Sequence, residues 1–399
     1  MEFPDPTREK SKLVDALVRQ EDLCADKIRV IASPYRICPI GAHIDHQGGP
    51  VLGMTINAYT LMVFAAAADG TTKLRSNNYP GKVIFDVNRV PESTGSFWGV
   101  YARAAVLALK TEYAVKRGVV GLLDGMLPGC GLSSSASVLL AYLHAFAAVN
   151  GIELQPWDLV RLNRVAENRY IGLNNGILDQ TSIVFGKKDV LLHIDTKAET
   201  VSEIPDSLGE SHHRILVAYS GYSRELTTSG YNTRVEECRQ AAARLSMLAG
   251  GEPAGILSDV PEEVFARFGD KLAPDIGKRA GHFFSEVRRV HSGLDAWQKG
   301  SISDFGNLMS ASCQSSIEQY ECGIQAIYDL QQVVSSADGV FGSRFMGGGF
   351  GGCVVGFVRP DVAADAASDI RETYRRLHPE VAEQAAVYLA RSADGVRFI

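Results

Sequence analysis

Residues 128–137 read Pro128-Gly129-Cys130-Gly131-Leu132-Ser133-Ser134-Ser135-Ala136-Ser137 and run straight into the apolar stretch Val138–Val149. Glycines let backbone N–H groups approach an anion closely. A helix starting at the serines adds the positive end of its dipole, and serine hydroxyls suit phosphate oxygens or Mg²⁺. Two readings fit this stretch: a serine-capped helix after a tight turn, or a cradle for a nucleotide triphosphate. No Gly-Lys-Ser or Gly-Lys-Thr follows the glycines, so a Walker-type loop is excluded.

Working outward, residues 7–23 place Leu13, Ala16, Leu17 and Leu23 at helical spacing, which predicts a surface helix. Short apolar stretches at 28–32, 51–56 and 60–66 alternate with turn residues and predict strands, with a polar, glycine-punctuated loop at 39–50 between the first two. Residues 98–114, 135–150 and 156–170 predict helices. Strands follow at 188–194 and 214–220, and the polar stretch 195–213 between them is the expected interdomain boundary. Helices at 232–248 and 272–300 and a closing strand pair within 340–358 complete a mixed α+β chain, divided into residues 1–205 and 206–399. A length of 399 residues with 46% hydrophobic content supports two such domains.

Composition narrows the function classes. The formal charge of −6, from 40 Lys+Arg against 46 Asp+Glu, comes without a sustained basic run, so no nucleic-acid partner is expected. Seven cysteines, an odd number without Cys-x-x-Cys spacing, speak against a disulfide framework and a zinc site and for a reducing, cytoplasmic setting. Residues 2–29 lack the apolar core of a signal peptide, and no apolar run is long enough to span a bilayer, so no membrane partner is expected.

Two more segments change the weight of the first. Residues 35–46 read Tyr35-Arg36-Ile37-Cys38-Pro39-Ile40-Gly41-Ala42-His43-Ile44-Asp45-His46, and residues 346–353 read Met346-Gly347-Gly348-Gly349-Phe350-Gly351-Gly352-Cys353. Gly347, Gly349 and Gly352 satisfy G-x-G-x-x-G, but the strand-like Cys353–Val358 follows where a dinucleotide fingerprint requires a helix. The three segments, in this order, resemble the motifs of the galactokinase, homoserine kinase, mevalonate kinase and phosphomevalonate kinase (GHMP kinase) superfamily, and the first resembles the galactokinase signature. The resemblance spans nearly the whole chain. It implies an α+β, two-domain GHMP kinase fold, with an N-terminal domain like ribosomal protein S5 domain 2 and a ferredoxin-like C-terminal domain, and it implies ATP and Mg²⁺.

The resemblance also implies roles. Asp179, in Asn175-Gly176-Ile177-Leu178-Asp179-Gln180, would be the base for a sugar hydroxyl, with Arg36 beside it on the transferring phosphoryl group. Glu167 and Ser134, or Ser135 in its place, would hold Mg²⁺. Pro128, Gly129, Gly131, Leu132, Ser133, Ser134, Ser135 and Ala136 would line the ATP site. Trp98 resembles an adenine-pocket tryptophan, although a plain core tryptophan remains open. His43, Asp45, His46, Gly176 and Tyr231 would line the sugar site with Ala42, and His46 or Arg224 is the candidate for positive charge there. Galactokinases carry Gly-Glu-His-x-Asp-Tyr where this chain has Gly41-Ala42-His43-Ile44-Asp45-His46. Loss of that Glu, which faces the sugar's 6-hydroxyl, removes a charge that would repel a 6-carboxylate, and the run resembles that of the galacturonokinase branch. The expected activity is therefore ATP-dependent 1-phosphorylation of galacturonic acid. A galactokinase or broad sugar 1-kinase is the alternative, and a catalytically silent sugar- and ATP-binding regulator stands as an alternative of another class.

Overall fold

The computed structural model describes residues 1–91, 98–222 and 230–399. The first helix, α1 (Pro6–Glu21), starts where Asp5 accepts the Thr7 N–H at 2.8 Å and Pro6 occupies the first turn. β1 (Arg29–Ile37) pairs antiparallel with β2 (Val51–Ala66), and the sheet continues through β3 (Thr71–Ser76), β4 (Lys82–Asp86) and, after helix α2 (Val100–Leu109), β5 (Val119–Gly125). Helices α3 (Ser134–Val149), α4 (Pro156–Val165) and α5 (Leu178–Phe185) precede the hairpin β6 (Val190–Asp195) and β7 (Thr200–Pro205), which joins the sheet through β2. Alternation along the strands sorts the two faces. Val30, Ala32, Leu61, Val63 and Leu122 pack with Leu13 and Leu17 of α1, whereas Ile31, Met62, Phe64 and Leu123 pack with α2 and α3.

A second sheet starts at β8 (Arg214–Tyr219). Helices α6 (Tyr231–Leu248), α7 (Glu262–Phe268), α8 (Pro274–Gln298), α9 (Ile302–Glu318) and α10 (Gln325–Ser336) come next, then β9 (Val340–Phe345), β10 (Cys353–Val358), α11 (Ala363–Leu377) and β11 (Ala386–Ala390). Its strand order is β11-β8-β10-β9, antiparallel throughout. The last strand, β12 (Arg397–Phe398), returns to the first sheet beside β1, giving the order β12-β1-β2-β5-β3-β4, in which only β3 and β5 run parallel. No helix among the described residues is long and apolar enough to cross a membrane.

Three local expectations change. The strands expected at 51–56 and 60–66 are one strand, β2, because the register with β1 shifts between Pro34 and Tyr35 and leaves Asn57 and Ala58 as a bulge. Asn57 pairs instead with Arg391 near the C-terminus, a contact invisible to local pattern. The stretch 195–213 is not simply a polar linker, since β7 lies within it. The helix expected over 156–170 is α-helical only to Val165 and continues as a π-helical turn, Ala166–Ile171, which ends at Gly172 with φ +85°. That wider turn carries Glu167, and single π turns of this kind concentrate at functional sites.

Candidate active site

The site is built where the loop after β1, the loop before α3 and the start of α5 meet. Arg36, near the end of β1 and 4% exposed, donates from Nε to Asp179 Oδ1 at 2.8 Å and from Nη1 to the Gly131 carbonyl at 3.0 Å. Its backbone N–H also donates to the Leu132 carbonyl at 3.2 Å, so one arginine fastens the glycine-serine loop to Asp179 in the first turn of α5. The loop itself needs its glycines. Gly129 and Gly131 have φ of +77° and +75°, and a Cβ on Gly131 would stand 2.6 Å from the Met346 carbonyl. The second glycine run therefore packs on the first as a turn between β9 and β10.

Ser133 adopts φ +60° and its buried hydroxyl has no partner among the described residues, while Ser134, the first residue of α3, accepts the Gly129 N–H at 2.9 Å. Glu167 is 1% exposed: Oε2 accepts from Asn175 Nδ2 at 2.7 Å, and Oε1 has no partner among the described residues. Burial pushes its carboxyl up to about 8. An orphaned buried carboxylate oxygen and an orphaned hydroxyl on one cavity wall suit a hard cation that takes oxygen ligands.

Two adjoining cavities share Arg36, Leu173, Asp179, Met346, Gly347 and Gly348. The larger, about 440 Å³, is lined by Pro128, Gly129, Gly131, Ser133, Ser134, Ser135, Glu167 and Trp98, whose indole donates to the Pro80 carbonyl at 3.1 Å. Leu132 and Ala136 instead face the core. The smaller, about 70 Å³, is lined by Ala42, His43, Asp45, Asn175, Tyr231 and Arg344, besides the shared residues. Asp45 Oδ2 accepts the Leu178 N–H at 3.2 Å and lies so close to Gly176 that a Cβ there would sit 2.3 Å from it. Burial, then the charge of Asp179, pushes Asp45 up to about 6.

Helix α8 holds the sugar-signature loop from behind. Glu286 Oε1 accepts the Gly41 N–H at 2.7 Å, and His282 Nε2 bonds to the Ala42 carbonyl at 2.9 Å. His43, at φ +65°, stacks on Tyr320 with ring centroids 4.7 Å apart, and its Nε2 is buried without a partner among the described residues. Burial lowers its pKa well below the ordinary histidine value.

His46 is directed away from the smaller cavity, bonding Tyr320 Oη at 2.9 Å and Gln47 Nε2 at 3.0 Å, and burial lowers it to about 4. Burial thus disfavours its charged form, which argues against the expectation that it supplies positive charge. Arg224, the other candidate, lies outside the described residues. Besides Arg36, which is bonded to Asp179, the cation lining the smaller cavity among the described residues is Arg344 of β9. Sequence reasoning passed over Arg344 and Asn175; the cue was a charged residue inside an otherwise buried strand beside the second glycine run.

Comparisons with known proteins bear on the family and the fold. The family models described as GHMP kinases N terminal domain, GHMP kinases C terminal and Galactokinase galactose-binding signature match residues 100–187, 294–376 and 21–66. The chain is 40% identical to the galacturonokinase of Arabidopsis thaliana, over 94% of this chain and 93% of that protein. It is 31% identical to the galactokinase of Roseiflexus sp., over 92% of each. The crystal structure of Lactococcus lactis galactokinase complexed with galactose superposes with a TM-score of 0.89 at 28% identity, covering 98% of this chain and 99% of that one.

Proposed function

Because this chain belongs to the galactokinase family of the GHMP kinases and is an ATP-dependent sugar 1-kinase, we propose that its acceptor is D-galacturonic acid, converted to the 1-phosphate. One observation carries the choice: the small side chain of Ala42 lies on the wall of the cavity that also holds Asp179 and Arg36. A glutamate there would stand against a substrate carboxylate, and its replacement by a methyl group leaves room for one. The similarity to a galacturonokinase supports the same acceptor.

In this reading the sugar occupies the smaller cavity and the triphosphate the larger, with Asp179 and Arg36 at their junction. Asp179 accepts the proton of the 1-hydroxyl as that oxygen bonds to the γ-phosphorus and the bond to the departing ADP oxygen breaks. Arg36 holds the Asp179 carboxylate through its Nε hydrogen bond and lies against the charge spreading over the transferring group. N–H groups of the glycine-serine loop and the start of α3 cradle the phosphates, and Trp98 offers its ring to the adenine. Asp45, His43 and Tyr231 fix the sugar, Gly176 keeps the Asp45 carboxylate in place, and His46 supports the loop through Tyr320. Glu167 and Ser134 would hold Mg²⁺, with Ser133 the neighbouring orphan hydroxyl; the ion supplies charge neutralisation across the phosphates. We place the domain boundary at 205/206, with the terminal strand returning to the first sheet.

The test is kcat/KM with ATP across galacturonate, glucuronate, galactose and glucose. Galacturonate should rank first. A higher value for galactose would replace the proposed acceptor with the neutral sugar, and absence of ADP release with every sugar would favour a silent binding protein.

A further inference from the structure

We infer that Arg344 is the residue that recognises the substrate's carboxylate, so that the cation selecting an acidic sugar comes from strand β9, far in sequence from the sugar signature. The inference rests on the acceptor proposed above and adds the group that reads it. Arg344 is 1% exposed, yet lines the smaller cavity together with Ala42 and His43.

A guanidinium carries five N–H donors. Among the described residues three have acceptors: Nε donates to the Phe345 carbonyl at 3.1 Å, Nη1 to Ser312 Oγ, and Nη2 to Ser316 Oγ at a long 3.4 Å. Two donors are left for a ligand.

The charge balance is as open as the donor count. The nearest carboxylate, Glu286, stays 3.9 Å from Arg344 Nη1 and is already taken by Arg289 Nε at 2.6 Å, the Gly41 N–H at 2.7 Å and Ser312. Arg344 thus meets Glu286 mainly through the Ser312 hydroxyl. Two arginines share one carboxylate there, and the cavity's other charges, the bonded Arg36 and Asp179 and the carboxyl of Asp45, make no ion pair with Arg344 among the described residues. A buried cation without full compensation is costly unless something completes it, and a planar carboxylate is the partner a guanidinium fork fits best.

The position matches the carbon-6 end of the sugar. Ser312 links Arg344 to Glu286, Glu286 holds Gly41, and Ala42 follows directly, so Arg344 sits behind the residue whose lost carboxylate opened the site. His43 Nε2, buried and unpartnered on the same wall, offers a second donor when it carries the ring proton. In a relative with glutamate at position 42, the side chain itself could neutralise this arginine; in this chain that place falls to the substrate.

The experiment compares wild type with Arg344→Met and Arg344→Lys, reading kcat/KM for galacturonate and galactose. Arg344→Met should lower the galacturonate value by about 30-fold or more, chiefly through KM, with galactose changed less than about threefold; losing a charged partner of a buried pair has effects of this order. Arg344→Lys, which keeps charge but not the fork, should fall between. Equal losses on both sugars, or no loss on galacturonate, would overturn the inference. Should Arg344→Met fail to fold, Arg344→Lys decides alone: a galacturonate-to-galactose ratio reduced about fivefold or more sustains the inference, and an unchanged ratio overturns it. The wild-type ratio separates the two proposals. A wild type preferring galactose removes the acceptor, and Arg344 with it; a wild type preferring galacturonate with an indifferent Arg344 removes Arg344 alone.

Discussion

Restoring a glutamate at position 42 tests the substrate assignment most directly. The backbone there is fixed on both sides, by the Glu286 bond to the Gly41 N–H and the His282 bond to the Ala42 carbonyl, so Ala42→Glu should extend its carboxylate into the smaller cavity. Two carboxylates 4 Å apart at an effective dielectric of 20 repel by about 4 kcal/mol, roughly a thousandfold in affinity. Arg344 lies on the same wall and would pair with the new glutamate, which softens the repulsion but withdraws the cation from the substrate. The remaining repulsion and the withdrawn cation both act against galacturonate, and a fall of about 10²–10³-fold in kcat/KM is expected. Galactose instead brings a hydroxyl that can donate to the new carboxylate, a hydrogen bond to a charged group worth about 1.5–3 kcal/mol. Its kcat/KM should hold or rise. The assay is ADP release with each sugar at saturating ATP. A parallel drop for both sugars would mean that the glutamate merely fills the cavity, and a ratio altered less than tenfold would refute the charge reasoning.

Asp179→Asn should keep the fold, because the amide oxygen can still accept from Arg36, and should lower kcat by roughly 10²–10⁴-fold; near-normal turnover would remove Asp179 from proton transfer. Glu167→Gln should weaken apparent Mg²⁺ affinity in a titration of ADP release by at least the roughly 10–100-fold that outer-shell partners cost, and an unchanged titration would argue for a purely structural carboxyl. Stability should fall on acidification from pH 7 to pH 5, since His46 and His282 are lowered to about 4 by burial and His43 well below its ordinary value. Over that window the unfolded chain takes up protons on histidines that the folded protein keeps neutral, so stability rises with pH. Asp45, raised to about 6, and Glu167, raised to about 8, oppose this by at most one proton each against the three histidines. Thermal unfolding as a function of pH checks the sign, and a melting temperature higher at pH 5 than at pH 7 would contradict it.

What could be read from the chain was local. Glycines followed by serines before an apolar helix marked the phosphate loop because anion binding at a helix start needs only neighbouring residues. The short apolar stretch at the start of β1 and the helical spacing in α3 announced strand and helix for the same reason. The bulge at Asn57 and Ala58 was beyond reach because its partner, Arg391, comes from the far end of the chain. Likewise α5, which carries Asp179, gave no signal of its own: its eight residues are too few for a periodic pattern, and it is held by packing against α4, β1 and β2.

Charged residues misled most, and for a physical reason. Glu286 stands among Ser285, Arg288 and Arg289, a sequence that reads as the wet face of a helix, yet its carboxylate is fully buried. Burial raises its pKa, but nearby His282, Arg289 and Arg344 outweigh that and hold it below the ordinary value. Such a charge survives inside a protein only when donors converge on it from several elements, and here they come from the loop after β1, from α8 itself and from α9. The same convergence that hides Glu286 from the sequence leaves Arg344 short of a carboxylate. In the proposed reading the family motifs carry the transfer chemistry near Arg36 and Asp179, whereas acceptor choice would depend on a buried charge balance assembled around α8, α9 and β9. A substitution in α8 or α9 that never touches the sugar, such as Ser312→Ala, should therefore shift the ratio of galacturonate to galactose turnover more than it shifts the KM for ATP.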